Sequence, residues 1–334
     1  MRLSLLLLLS LFIVTALRAQ DTTRTPERVE LLNAESLEAG VRQEGGQEIR
    51  FRKLKGSVRF RHDNATMSCD SAYQYLSSNS IEAFGRVQLN QGDTLFLTGD
   101  SLFYDGTTRL AQMRGRQVVL RDQQMTLTTQ RLDFDRPAHL AYYFDGGTII
   151  DEGNRLTSDQ GYYNTVTQYM RFKDSVRLRS FEPPFQLASD TLEYSRVSKV
   201  AYFRAPTRIL SDGRVLRAQA GQYNTLTRES DFRGQAEVET ADYILRGDTL
   251  FYDEVRKLGR ARHNVVIISK ADTVIIEGDR GFYDGERGFA RVHGRALLKT
   301  PQAGDTLYVA ADTLISLRRR DTLAVAAAAS APDT

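Results

Sequence analysis

The chain has 334 residues, of which 41% are apolar and 26% charged, a composition typical of a folded protein rather than a disordered one. One cysteine and four histidines exclude a disulfide framework and a multi-cysteine metal site, and they leave little material for histidine-based chemistry. With 45 basic and 42 acidic residues the net charge is +3, which argues against nucleic-acid binding driven by bulk charge.

The first element is an apolar segment typical of a secretory signal peptide. Arg2 supplies the positive start, an almost unbroken apolar run extends from Leu3 to Leu17, and Ala19 is a small residue where a signal peptidase can cut. The run is shorter than the roughly 20 residues that a membrane-spanning helix needs. We therefore predict an exported protein, with an uncleaved N-terminal anchor as the alternative.

A repeat of about 30 residues organises the rest of the chain. Its clearest copies, such as Leu97–Asp105 and Leu245–Asp253, place a small residue before a central Asp and a Leu-x-Tyr-Asp sequence after it. We call the central residue the anchor. The anchors are 29 to 33 residues apart and lie at Asp70, Asp100, Gln130, Asp159, Asp190, Gln219, Asp248, Asp279 and Asp312, with a degraded first copy at Ala34–Leu37.

Each repeat predicts short β-strands joined by tight turns. Apolar and polar residues alternate, as in Val87–Leu89 and Val176–Leu178, which indicates half-buried strands. Side chains that bond nearby backbone amides close the first half of each repeat. These turn formers lie at positions 105, 135, 164, 195, 224, 253 and 284. The parity of the apolar positions changes at the anchor, which predicts a bulge or corner there.

The predicted fold class is therefore all-β, with about nine repeats stacked into a two-sheet β-solenoid that shares one core. Residues before the anchors are always small, and Cys69 fits that column, so we expect a buried small side chain rather than a reactive thiol. The anchor carboxylates are expected to bond the corner backbone rather than calcium, because glycine-rich nonapeptides are missing.

These motifs resemble the OstA-like family, which covers the periplasmic lipopolysaccharide-transport protein LptA, the related LptC and the N-terminal domain of LptD. The resemblance covers roughly residues 30–317 and depends on repetition of the small-Asp-x-Leu-x-Tyr-Asp pattern. It implies a V-shaped β-jellyroll with an apolar groove, no enzymatic activity and no cofactor. It also implies a periplasmic protein that holds lipopolysaccharide acyl chains and bridges the inner and outer membranes by end-to-end strand pairing.

The resemblance suggests that the recurring Leu and Tyr/Phe positions line the groove. They are Leu97, Leu102, Tyr104, Leu127, Leu132, Phe134, Leu156, Tyr163, Leu187, Leu192, Tyr194, Leu216, Tyr223, Leu245, Leu250, Tyr252 and Tyr283. The alternative for these residues is an ordinary packed core. Basic residues near the second-half strands are candidate contacts for lipid phosphates, with a solvated strand face as the alternative. They are Arg114, Arg116, Arg171, Arg233, Arg260, Arg262 and Arg291.

The predicted organisation is a signal peptide at 1–19, a linker at 20–29, the repeat domain at 30–317 and a low-complexity tail at 318–334. The expected partners are lipopolysaccharide or a related lipid, membrane transport components of the same fold and other copies of this chain, but no nucleic acid. Segments 31–37, 49–60 and 305–317 are expected to form the exposed edges for such pairing.

A structural or surface β-solenoid fibre without lipid cargo is the alternative function. The two differ in the interior, since a fibre needs a closed dry core and a transporter needs an open apolar groove. Enzymatic activity is not expected, because no Ser/His/Asp set or carboxylate pair stands out from the repeat.

Overall fold

A computed structural model describes residues 28–317 apart from Glu152, and the predicted signal peptide and tail lie outside the described residues. The first twelve strands are β1 (Glu30–Asn33), β2 (Ser36–Glu44), β3 (Gln47–His62), β4 (Ala65–Tyr75), β5 (Ser80–Gln91), β6 (Leu95–Asp105), β7 (Leu110–Arg121), β8 (Met125–Asp135), β9 (Leu140–Tyr143), β10 (Gly147–Asp151), β11 (Asn154–Ser158) and β12 (Gln160–Asn164). The others are β13 (Tyr169–Phe181), β14 (Pro184–Ser195), β15 (Val200–Phe203), β16 (Thr207–Ser211), β17 (Arg214–Ala218), β18 (Ala220–Asn224), β19 (Glu229–Glu239), β20 (Tyr243–Asp253), β21 (Leu258–Ser269), β22 (Ile275–Asp284), β23 (Phe289–Gln302) and β24 (Asp305–Leu317).

The all-β prediction is confirmed, because these 24 strands form one sheet of antiparallel pairs. Strands that follow one another along the chain pair with one another in most of the sheet, so each repeat of about 30 residues contributes a hairpin. Within the described residues no helix is long and apolar enough to cross a membrane.

The strands bend at the anchors, as the change of parity predicts. The β4 ladder shifts register around Asp70, and the β6 ladder shifts around Asp100. In the middle of the chain the bend interrupts the strand, so that β11 ends at Ser158 and β12 begins at Gln160, on either side of Asp159. The predicted corner is therefore confirmed, and it divides the sheet into two arms.

We call the strand halves that precede the anchors, with the segments paired to them, the first arm, and the halves after the anchors the second arm. Side chains of the two arms meet face to face. The ring of Phe185 in the first arm lies 5.4 Å from that of Tyr223 in the second. Tyr243 and Tyr283 make the same contact at 4.9 Å. The hydrophobic core therefore lies between the arms and runs the length of the stack.

Most corners are held by the anchor and by two left-handed residues on the adjacent strand. Gly85 has a φ of 77° and Arg86 a φ of 45°. A Cβ on Gly85 would lie 2.5 Å from the Asp70 Oδ2 atom, and residues with a side chain rarely adopt its φ, so glycine is favoured here. Arg86 donates to Asp70 at 2.6 Å, and Asn264 donates to Asp248 at 2.9 Å. The anchors thus bond the corners, and among the described residues no cluster is placed to hold a metal ion.

The predicted turn formers act as expected. The Asp105 carboxylate accepts a hydrogen bond from the backbone N–H of Thr107 at 2.8 Å. The Asn164 amide oxygen accepts from Val166 and Thr167 at 3.1 and 2.8 Å. In each case the side-chain oxygen accepts a hydrogen bond from a backbone N–H group that has no backbone acceptor in the tight turn. The sequence prediction of these turns is confirmed.

Cys69 lies beside its anchor with 5% of its surface exposed. Burial raises the pKa of its thiol to about 11. A thiol with a raised pKa carries little thiolate and is a poor nucleophile. The prediction of a small packed side chain is confirmed.

The two ends of the sheet are edges. Among residues 28–317, β1 and β2 pair with β3 alone and β24 pairs with β23 alone, which confirms the expectation for segments 31–37 and 305–317. The expectation for segment 49–60 is wrong, because β3 has β1 and β2 on one side and β4 on the other. The reason is that the degraded copy at Ala34–Leu37 folds as a rung of its own, with Glu35 at its corner, and covers β3.

Candidate functional site

The predicted groove residues all lie in the core between the arms. Each of these Leu, Tyr and Phe side chains is at most 4% exposed, and they belong to one continuous apolar cluster. Their arrangement follows from the repeat, since one strand half contributes a Leu and the next a Leu and an aromatic ring. In the described structure this interior is closed, so a ligand can reach it only if the arms separate.

The arms meet again at their tips, opposite the corners. Here three polar clusters join the turns of the first arm to the turns of the second, and we call this line the seam. The clusters are centred on Arg136, Arg196 and Glu254, which are 6%, 3% and 2% exposed. Charges so deeply buried are stable only when they are paired and hydrogen bonded.

The first cluster surrounds the hydroxyl of Tyr104. Arg136 donates to this hydroxyl at 2.7 Å, and the Nδ1 atom of His62 lies 2.7 Å from it. Arg136 also donates to the side-chain oxygen of Asn64 at 3.0 Å. Arg109 lies 3.3 Å from the carboxylate of Asp63. His62, Asp63 and Asn64 end the first arm, so this cluster ties it to the second.

The second cluster is the most completely paired. Arg196 lies 3.2 Å from the Asp151 carboxylate and 3.3 Å from that of Asp122. It also donates to the Tyr163 hydroxyl at 3.2 Å and to Gln124 at 3.1 Å. Tyr163 in turn donates to Asp122. A guanidinium with a fixed fork of donors suits such a set of acceptors.

The third cluster has the opposite central charge. The Glu254 carboxylate accepts from the hydroxyl of Tyr223 at 2.9 Å and from Arg228 at 2.9 Å, and Arg214 lies 3.8 Å away. Two buried polar atoms near it, the Arg228 Nε and the Tyr252 hydroxyl, have no hydrogen-bond partner among the described residues. The hydrogen bonding of this cluster is therefore less complete than that of the second.

Sequence reasoning missed the seam. Its central residues share one position of the repeat, six residues after the anchors Gln130, Asp190 and Asp248. That position follows the turn former, where charge normally indicates solvent exposure. The available signal was that Arg, Arg and Glu occur in alternate repeats at this position, but the residues that pair with them lie up to 74 positions away.

The seam tyrosines make the stability of the folded state depend on pH. Burial raises the pKa of Tyr104, Tyr163 and Tyr223, and the neighbouring carboxylates Asp122 and Glu254 add to the effect at the last two. A raised pKa means that the folded state favours the neutral phenol. The stability that these groups contribute is complete below the ordinary pKa near 10 and is lost as pH rises through the folded pKa.

We therefore expect the free energy of unfolding to fall as pH rises above 10, with tyrosinate absorbance appearing together with loss of structure. Denaturant unfolding at a series of alkaline pH values, followed by circular dichroism and tyrosinate absorbance, checks this. Full ionisation of all tyrosines near their ordinary pKa, with the β-sheet signal intact, would show that these phenols are not buried in solution.

A scan against family models matches this chain to the OstA-like protein family over residues 26–190 and 184–248. A search of curated proteins found no match. The family match covers more than half of the chain and includes the repeats that build the first two seam clusters. The chain therefore belongs to the OstA-like family.

Proposed function

We propose that this protein is a periplasmic carrier that holds the acyl chains of lipopolysaccharide between the two arms of its sheet and passes them along the stack. The OstA-like family is a periplasmic transport and binding family associated with lipopolysaccharide. The observation that carries the proposal is the continuous apolar interior, which hydrogen bonds and ion pairs close along the seam.

Opening of the seam exposes the apolar columns, and lipid tails then replace the contacts between the arms. Each methylene of an acyl chain that enters contributes about 0.8 kcal/mol, so a lipid with several chains offsets the separation of a few rungs. A stack of repeats can open locally, since each rung contacts mainly its neighbours. The columns of Leu and Tyr/Phe residues are then the surface along which the tails slide.

The seam arginines give the carrier a polar contact for the same lipid. When the seam opens, Arg136 loses Asn64 and Arg196 loses Asp122 and Asp151, which lie on the facing arm. A lipid phosphate is an equally good acceptor for a guanidinium. The cargo therefore supplies both apolar and anionic replacements for the contacts that it breaks.

Its end strands suit assembly with domains of the same fold. The strands β2 and β24 have free backbone edges, and large apolar side chains on them are exposed, including Leu37, Val41, Leu307 and Val309. Backbone pairing of such edges would continue the core from one molecule to the next. We propose head-to-tail pairing with further copies of this chain and with inner- and outer-membrane transport components of the same fold.

Site-specific photo-crosslinking in cells tests the interior path. A photoreactive phenylalanine at Tyr104, Tyr163 or Tyr223 is expected to capture labelled lipopolysaccharide. Matched controls occupy the preceding residue of the same strand, which faces outward: Phe103, Tyr162 and Gln222. Capture of lipid at the outward positions with none at the inward ones would place the lipid path elsewhere.

A structural fibre remains the second candidate function, because the interior of the described residues is closed and packed. The same experiment separates the two functions. A fibre predicts no capture of lipid at any of the six positions, together with protein–protein crosslinks from residues of β2 and β24.

A further inference from the structure

A row of arginines and phenylalanines crosses the outer face of the second arm near the C-terminal end. Directly paired residues of five successive strands, β20 to β24, form it. In order they are Phe251, Arg260, Phe282, Arg291 and Ile315. A second row beside it contains Thr249, Arg262, Arg280, His293 and Thr313. We call the two rows together the arginine face.

Within the part of the chain that the structure describes, the arginines of this face form no ion pairs. Among the described residues no ion pair joins a carboxylate to Arg260, Arg262, Arg280 or Arg291, and all four are exposed. The carboxylate next in sequence, Asp279, is engaged by Arg295. On the outer face of the first arm the contrast is clear. There Arg217 contacts both Glu237 and Glu239, and Arg246 lies 2.7 Å from Glu237.

Two of the arginines face each other directly. Arg262 of β21 is paired with Arg280 of β22, and like charges at directly opposed positions destabilise a sheet. The four arginines and His293 of this surface outnumber its one bordering carboxylate, Asp231, so the fold keeps a net positive charge there. An external anion would relieve this repulsion.

Apolar rings lie among the arginines. Phe251 and Ile315 are 37% and 57% exposed, and Phe282 contacts Phe289 with ring centroids 6.0 Å apart. A shallow depression of about 700 Å³ lies between the phenylalanines and is bordered by the arginines, by His293 and, at its β19 side, by the single carboxylate of Asp231. Aromatic and basic side chains together are typical of surfaces at the boundary between lipid and water.

We propose that the arginine face docks this protein on the surface of an anionic phospholipid bilayer. Its four arginines span three strands, or about 10 Å, which is wider than one phosphate and matches a field of lipid headgroups. The phenylalanine rings and Ile315 enter the apolar side of the headgroup region between them. The proposal is independent of whether the interior carries lipid, since none of these side chains contributes to the core.

The same face is different at the other end of the stack. There the row of outward aromatic residues is interspersed with acids, as where Tyr73 is paired with Glu82 and Tyr142 with Asp133. Arg171 in the middle of the row is already paired with Glu193 at 3.3 Å. Docking is therefore confined to the C-terminal part, and the long axis of the molecule extends away from that contact.

Cosedimentation of the full mature chain with vesicles tests the proposal. Vesicles that contain phosphatidylglycerol are expected to bind the protein, and vesicles of phosphatidylcholine alone are not. The double variant Arg262→Gln and Arg280→Gln is expected to bind the anionic vesicles with an affinity lower by a factor of about ten or more. The control Arg171→Gln is expected to bind like the unaltered chain, and added salt is expected to weaken binding.

A second variant separates a bilayer from a soluble anion. Phe251→Ser is expected to weaken binding to vesicles and to leave any binding to soluble inorganic polyphosphate unchanged. Thermal unfolding confirms that each variant is folded. Vesicle binding that survives the double arginine variant, or that Phe251→Ser does not weaken, would overturn the proposal, as would displacement by inorganic phosphate at concentrations equal to that of the lipid phosphate.

Discussion

Replacement of Arg196 by methionine is expected to lower the free energy of unfolding by about 3–5 kcal/mol, because it leaves buried carboxylates without a counter-charge. Asp151 is 6% exposed and lies 3.2 Å from the guanidinium, and Asp122 shares the same partner. Methionine keeps the length of the side chain but supplies no donor. Denaturant unfolding of the two proteins at neutral pH measures the difference.

The matched control is Arg86→Met, which removes an arginine from an exposed corner pair with Asp70. This change is expected to leave stability unaltered, since exposed ion pairs contribute little. The seam variant should also open more readily, so we expect more lipid capture at Tyr163 in the crosslinking experiment. If Arg196→Met is as stable as Arg86→Met, the seam is open in solution and does not hold the arms together.

Truncation of Phe134 to alanine is expected to destabilise the protein by about 3–5 kcal/mol. Its ring is fully buried between the arms, where a large-to-small change leaves a cavity that the rigid strands cannot fill. This change distinguishes a packed column from a solvent-filled groove, because a ring that already faces water costs little to remove. Thermal or denaturant unfolding provides the measurement.

Phe103→Ala is the control for that change, since this ring lies on the outer face of the second arm and is 40% exposed. It is expected to alter stability by about 0.5 kcal/mol or less. Equal effects of the two truncations would mean that the interior and the outer face are equally hydrated, and that the arms stand apart when no lipid is bound.

Much of the fold could be predicted because each repeat encodes it locally. Asp105 and Asn164 specify turns through their own side chains, and the small residue before each anchor, Cys69 among them, makes room at a corner. The alternation of apolar and polar residues changes phase at each anchor, and this change alone was enough to locate the bends. The packed columns follow from the same alternation, so the inward-facing residues, predicted as the lining of a groove, could be named one by one.

The seam could not be predicted, because it depends on how the arms close rather than on the repeat. Arg136 and Asn64 are 72 positions apart in sequence, and only the twist and stagger of the stack bring them together. The mistaken edge at 49–60 has a similar cause. The first copy of the repeat is too degraded to show that it adds one more rung, and β3 is interior only because that rung forms.

The corners have a consequence for how the molecule moves. The left-handed pairs such as Gly85–Arg86 and Gly294–Arg295 set the bend in the backbone itself, and the anchor side chains that brace them lie outside the apolar interior. Separation of the arms at the seam therefore leaves every ladder of backbone hydrogen bonds in place and turns the line of corners into a long hinge. The arms can therefore separate along one side, one repeat at a time, while the line of corners keeps the register of the whole stack.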